Sequence, residues 1–128
     1  MPELIYIDTN IYLDYFHNRK DNLRPLGEFA YELLAKSVKC KYKIIVSDII
    51  IFELKKKIPE NKLLDIMSWL NPKIIKVKAT QKDKHFAKFQ KIHYPDSLHI
   101  VLAKKYNSTL VSNDKEMQEF GAISAQYL

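Results

Sequence analysis

The chain has 128 residues, 47% of them hydrophobic, which is enough for one compact domain with its own core and too little for a second. Lysine and arginine total 21 against 15 acids, and the resulting formal charge of +6 favours a polyanionic partner. A single cysteine, Cys40, excludes an internal disulfide and a multi-cysteine zinc site, and two glycines, Gly27 and Gly121, cannot build a glycine-rich phosphate loop or a dinucleotide fingerprint.

The first residues, Met1-Pro2-Glu3-Leu4, carry no basic stretch leading into an apolar segment, and the run from Ile49 to Phe52 is far too short to span a bilayer. The expected location is the cytoplasm, away from membranes. Leu4–Ile7 reads as a strand and ends at Asp8-Thr9-Asn10, where a carboxylate, a hydroxyl and an amide meet a helical pattern. Asp14 lies four residues beyond Asn10 on the same helical face, where it is either a supporting group or a surface charge. Leu26, Ala30, Leu33, Leu34 and Ser37 recur with the spacing of one helix face.

Lys43–Ser47 forms the second strand, and Glu53 follows among Ile50, Ile51, Phe52 and Leu54. An unpaired charge in such company is expensive, so Glu53 requires either a cation or a lysine from Lys55-Lys56-Lys57. Leu63, Ile66, Met67 and Leu70 mark another amphipathic helix, and Ile74–Lys78 the third strand. Thr80 with Asp83 resembles a helix-capping pair. Lys84, Lys88 and Lys91 recur at i, i+4 and i+7, a basic stripe that Tyr94 extends with a stacking surface; it is either a solvated face or a contact for a nucleic-acid backbone.

Asp96 follows Pro95 and opens a helix that is apolar on several faces, with His99 one turn on. Thr109–Ser112 is the fourth strand, with Ser112 and Asn113 as polar neighbours of Asp114, and Asn113 with Glu116 reads as a second capping pair. Ala122–Ala125 is the fifth. Short β runs alternating with helical periods imply an α/β domain with a mainly parallel five-stranded sheet. In such sheets ligands gather beyond the carboxyl ends of the strands, and Asp8 and Asp114 fit that edge best if the first and fourth strands are neighbours.

Asp8, Glu53, Asp96 and Asp114 all follow apolar runs or open helices. Singly, each has a plain explanation as a helix cap or surface charge. Together they suit a hard cation, because Mg²⁺ or Mn²⁺ takes oxygen ligands from several elements and leaves much of its shell to water and phosphate. Such an ion activates water and stabilises charge developing on a phosphodiester. The lysine-rich remainder of the surface would attract the backbone of the same polyanion, whereas two arginines, Arg19 and Arg24, supply little for reading bases. A phosphoacceptor domain expects an Asp ending the third strand, which Ile74–Lys78 lacks, and an aspartyl phosphatase expects a second Asp where Asn10 stands.

These motifs, Asp8-Thr9-Asn10, Ser47 with Glu53-Leu54, Asp96-Ser97-Leu98-His99 and Leu110-Val111-Ser112-Asn113-Asp114, resemble in order and spacing the PIN-domain ribonucleases, particularly small toxins of toxin–antitoxin pairs. The resemblance covers nearly the whole chain. It implies strand order 3-2-1-4-5 and Mg²⁺- or Mn²⁺-dependent endonucleolytic cleavage of RNA. It further implies that Asp8, Asp96 and Asp114 hold metal, that Glu53 completes the catalytic set, and that Thr9, Asn10 and Ser112 support it. By position alone, Asn113 either orients the water shell or starts the last helix, and His99 is either a hydrogen-bonding partner of the site or a packed helix histidine. A homodimer and an antitoxin partner are also implied. Ser112 replaces a more usual threonine, and Met117 stands where phenylalanine is common. An RNA-processing nuclease without a toxin role, or a nucleic-acid-binding module without catalysis, would share these features.

Overall fold

The computed structural model describes residues 3–20, 22–39 and 41–128, so Cys40 lies outside the described residues. The central strand β1 (Glu3–Ile7) pairs in parallel with β2 (Tyr42–Ser47) on one side and with β4 (Thr109–Val111) on the other, and β3 (Ile74–Val77) lies outside β2. Ile5, Tyr6 and Ile7 are all buried because both faces of a central parallel strand are covered. The sheet therefore has four strands in the order β3-β2-β1-β4, with the first and fourth adjacent, as the acidic residues require.

The expected fifth strand at Ala122–Ala125 is reduced to an isolated parallel bridge between Val111 and Ile123. Ile123 does pair, donating to the Leu110 carbonyl and accepting from the Ser112 amide. The Asn113 carboxamide oxygen then captures the Ser124 hydroxyl at 2.7 Å and the Ala125 amide at 3.2 Å, turning the chain into a short 3-10 segment at Ala125–Tyr127. Asn113 is thus spent on this turn and does not cap the next helix.

Helices cover the sheet: α1 (Thr9–His17), α2 (Leu26–Val38), α3 (Asp48–Lys55), α4 (Glu60–Leu70), α5 (Gln81–Lys88), α6 (Asp96–Lys105) and α7 (Lys115–Glu119). Ala30, Leu33, Leu34 and Ser37 of α2 and Leu63, Ile66 and Leu70 of α4 are buried along the faces their spacing predicts. Nearly all of α6 is buried, from Ser97 to Ala103, and it packs against α5, β1 and β4. Thr80 and Asp83 form a reciprocal capping box at the start of α5, and Asp83 also binds Lys105 of α6 at 2.9 Å. No helix among the described residues is long and apolar enough to cross a membrane.

Gly27 lets α2 approach the end of α1. A Cβ there would lie 2.5 Å from Asn18 Oδ1, 2.7 Å from Asn18 Cα and 2.9 Å from the Asp14 carbonyl. Gly27→Ala should therefore destabilise the fold by about 1–3 kcal/mol, the usual range for overpacking. Urea unfolding checks this, and an unchanged midpoint would contradict the close approach.

Candidate active site

Each of the four acids sits where a strand hands over to a helix or where a helix faces that junction. Asp8 leaves β1 and precedes α1; its amide donates to the Val111 carbonyl of β4 at 2.9 Å, and the side chain is 3% exposed. Its Oδ2 accepts from Ser112 Oγ at 3.0 Å, and Ser112 Oγ in turn accepts from the Asp114 amide at 3.1 Å. One buried hydroxyl thereby ties the ends of β1 and β4 together. Asp114 caps α7 by accepting from the Glu116 amide at 2.8 Å. It thus takes the capping role that the sequence assigned to Asn113.

Glu53 projects from α3 and is held by two donors on the same oxygen, Thr9 Oγ1 at 2.5 Å and His99 Nε2 at 2.8 Å. Its direct protein partner is the buried His99 of α6 and not a lysine, one of the two partners the sequence suggested beside a cation; Lys57 adds only longer-range attraction. Asp96 occupies the first turn of α6, one turn before His99.

The electrostatics divide these acids. Burial pushes the Asp8 and Asp96 carboxyls up, and although His99 pulls both down, neighbouring acids add to the rise: Asp96 and Glu53 at Asp8, and Asp114, Glu53 and Glu116 at Asp96. Burial also raises Glu53, but the hydrogen bonds and charges of His99, Thr9 and Lys57 outweigh it, and Glu53 settles below the usual glutamate range. Asp8, Glu53 and Asp114 thus all lie within electrostatic reach of Asp96. Among the described residues, however, no three His, Cys, Asp or Glu side chains stand close enough to form a ready-made ion cluster. The donors are all oxygens and repel one another, which is the chemistry a hard divalent cation relieves.

Other expected residues take different places. Asn10 is exposed on the first turn of α1. Asp14 is buried on that helix and faces Asn113 Nδ2 at 3.4 Å and Arg19 at 3.7 Å, a pairing separate from the acidic edge. The lysine stripe is interrupted: α5 ends at Lys88, so Lys91 lies beyond the helix. Lys88 Nζ stands 5.8 Å from the Tyr94 ring, and Tyr94 and Lys84 both line a cavity of about 1300 Å³ bordered by α3, α4 and β3. Sequence reasoning passed over Tyr6, whose hydroxyl meets His99 and Ser47, and Glu116, which adds charge beside Asp96. A tyrosine within an otherwise aliphatic strand was the available signal, because a buried hydroxyl needs partners.

A family model described as PIN domain matches residues 5–123. Among solved structures, the chain is similar to "VapBC2 from Rickettsia felis bound to a DNA fragment from their promoter", with a TM-score of 0.64 and 18% identity over 94% of this chain and 96% of that one. No curated protein matches it.

The divided electrostatics set the pH dependence of stability. Asp8 and Asp96 have folded pKa values above their unfolded ones, so they favour folding while protonated and oppose it as pH rises from about 4 through their raised folded values. Glu53 does the reverse: its contribution is present above the unfolded pKa and is lost as pH falls through the lowered folded value. Without divalent metal, Asp96→Asn should raise the melting temperature at pH 7 and change it less at pH 4. Calorimetry showing a fall at neutral pH would contradict the repulsion.

Proposed function

The chain belongs to the PIN domain family, and from that premise we propose that it is a divalent-metal-dependent endoribonuclease acting in the cytoplasm as the toxin of a toxin–antitoxin pair. The observation that carries this reading is geometric: Ser112 joins Asp8 to the Asp114 backbone, while Thr9 and His99, one turn beyond Asp96, hold Glu53, all at the carboxyl edge of a parallel sheet. The likeness to VapBC2, crystallised with promoter DNA, supports an antitoxin as protein partner. Exposed Phe52 and Leu64 beside the large cavity support a homodimer or another protein contact.

In this mechanism Asp8, Asp96 and Asp114 would hold Mg²⁺ or Mn²⁺, which would supply charge neutralisation and Lewis acidity at the scissile phosphate. Glu53 orients the attacking water. Its ionised state suits that task, and because Thr9 and His99 both bind Oε1, Oε2 is left to accept from water. Ser112 fixes Asp8 against the Asp114 backbone, so two proposed ligands are held by one hydroxyl. Asn10, exposed at the start of α1, borders the substrate side. The basic surface draws in the RNA backbone, with Lys88 exposed near Tyr94, Lys91 exposed beyond α5, and Lys84 lining the same cavity as Tyr94.

Purified protein incubated with mixed cellular RNA should cleave it with Mg²⁺ or Mn²⁺ and fall silent with chelator. Asp8→Asn keeps the shape and removes the charge, so it should lower turnover by at least about a hundredfold. RNA binding without cleavage under every metal condition would instead favour a non-catalytic module. Lys84→Ala, Lys88→Ala and Lys91→Ala combined should reduce the slope of log affinity against log salt by about 0.7 for each single-strand phosphate that these lysines neutralise. An unchanged slope would assign them to ordinary solvation.

A further inference from the structure

Tyr6 lies in the middle of the central strand and is fully buried, so its hydroxyl must find partners inside the protein. It has two, Ser47 Oγ at 2.8 Å and His99 Nδ1 at 2.7 Å. Ser47 ends β2 and accepts from the Ile50 amide at 3.3 Å, capping α3. The other ring nitrogen of His99 meets Glu53 Oε1 at 2.8 Å. Four side chains from β1, β2, α6 and α3 therefore form an unbroken path from the interior of the sheet to the acidic edge.

The order of donors along this path follows from the groups themselves. Burial pushes the Tyr6 phenol up, well beyond its ordinary value, so it keeps its proton. Ser47 already accepts the Ile50 amide and has its own O–H to give, which makes Tyr6 Oη its acceptor. Tyr6 then donates to His99 Nδ1, and a neutral imidazole accepting at Nδ1 carries its proton on Nε2, where it donates to Glu53. With the Tyr6 hydroxyl turned the other way, the serine proton would lose its acceptor, and a neutral His99 would present a bare Nε2 to a carboxylate.

We propose that Tyr6 is a positioning residue that locks His99 in the Nε2–H tautomer, so that His99 holds Glu53 Oε1 and leaves Oε2 directed to the reacting water. This rests on the nuclease reading for its consequence in turnover, and on the buried path for the lock itself. Tyr6 touches no substrate and acts through two intervening groups.

NMR of the imidazole nitrogens in the full chain should show His99 protonated on Nε2 in the wild type, and a mixture of tautomers in Tyr6→Phe. With RNA substrate, Tyr6→Phe should lower kcat by about tenfold and leave KM unchanged, the scale typical of outer-shell partners. His99→Gln places an amide donor where Nε2 stands, so it should retain more turnover than His99→Ala, and adding Tyr6→Phe to His99→Gln should cost little further. The proposal is overturned if Tyr6→Phe leaves the tautomer unchanged, if the wild type at neutral pH carries a proton on Nδ1 or on both ring nitrogens, or if Tyr6→Phe lowers kcat equally in both backgrounds. Should the wild type cleave no RNA with any metal, the nuclease reading fails, and the NMR outcome alone decides the lock.

Discussion

The site depends on the parallel pairing of β1 with neighbours on both sides. Because β2 and β4 run in the same direction as β1, their carboxyl ends emerge along one edge, and helices must start or pass there. Asp8 is the point of greatest tension. It sits at the exit of the most buried strand, nearly closed off from solvent, with the backbone of β4 on one side and other acids in front. Burial and like charge both oppose its ionisation, while the Ser112 hydroxyl and His99 favour it.

The same edge treats its carboxylates unequally. Glu53 is furnished with donors and stays charged, whereas Asp8 and Asp96 are held towards their neutral forms by burial and by one another. A group meant to align water benefits from permanent charge and fixed orientation. Groups meant to take up a cation can be frustrated without it, since binding then relieves a penalty already present in the fold. His99 stands at the centre of this division, hydrogen-bonded to Glu53 and close enough to both aspartates to offset part of what burial does to them.

Much of this was legible in the sequence because it depended on local pattern. Four strand positions, the buried α6 and the capping box at Thr80 all follow from hydrophobic periodicity and short-range polar chemistry. The neighbouring of the first and fourth strands followed from needing Asp8 and Asp114 at one edge. The fifth strand was misread because Ala122–Ala125 has strand-like composition, while its fate was decided by Asn113, a side chain that wins the Ser124 and Ala125 donors. Lys91 fell off the stripe because α5 stops at Lys88, and helix ends are set by local competition that spacing does not register. The Tyr6 to Glu53 path joins residues far apart in the chain, so no local pattern could reveal it.

At the far side of the sheet, β3 pairs with β2 and, among the described residues, has no strand on its outer side. Its residues are at most half-buried, with Ile75 and Lys76 exposed. An open strand of this kind is a template on which other chains can polymerise, and a charged ammonium at its middle makes each such addition desolvate a cation. Lys76, exposed on β3, places such a charge there. The positive charge of this chain therefore has a second meaning besides attraction of polyanions. It also raises the cost of adding a further strand beside β3.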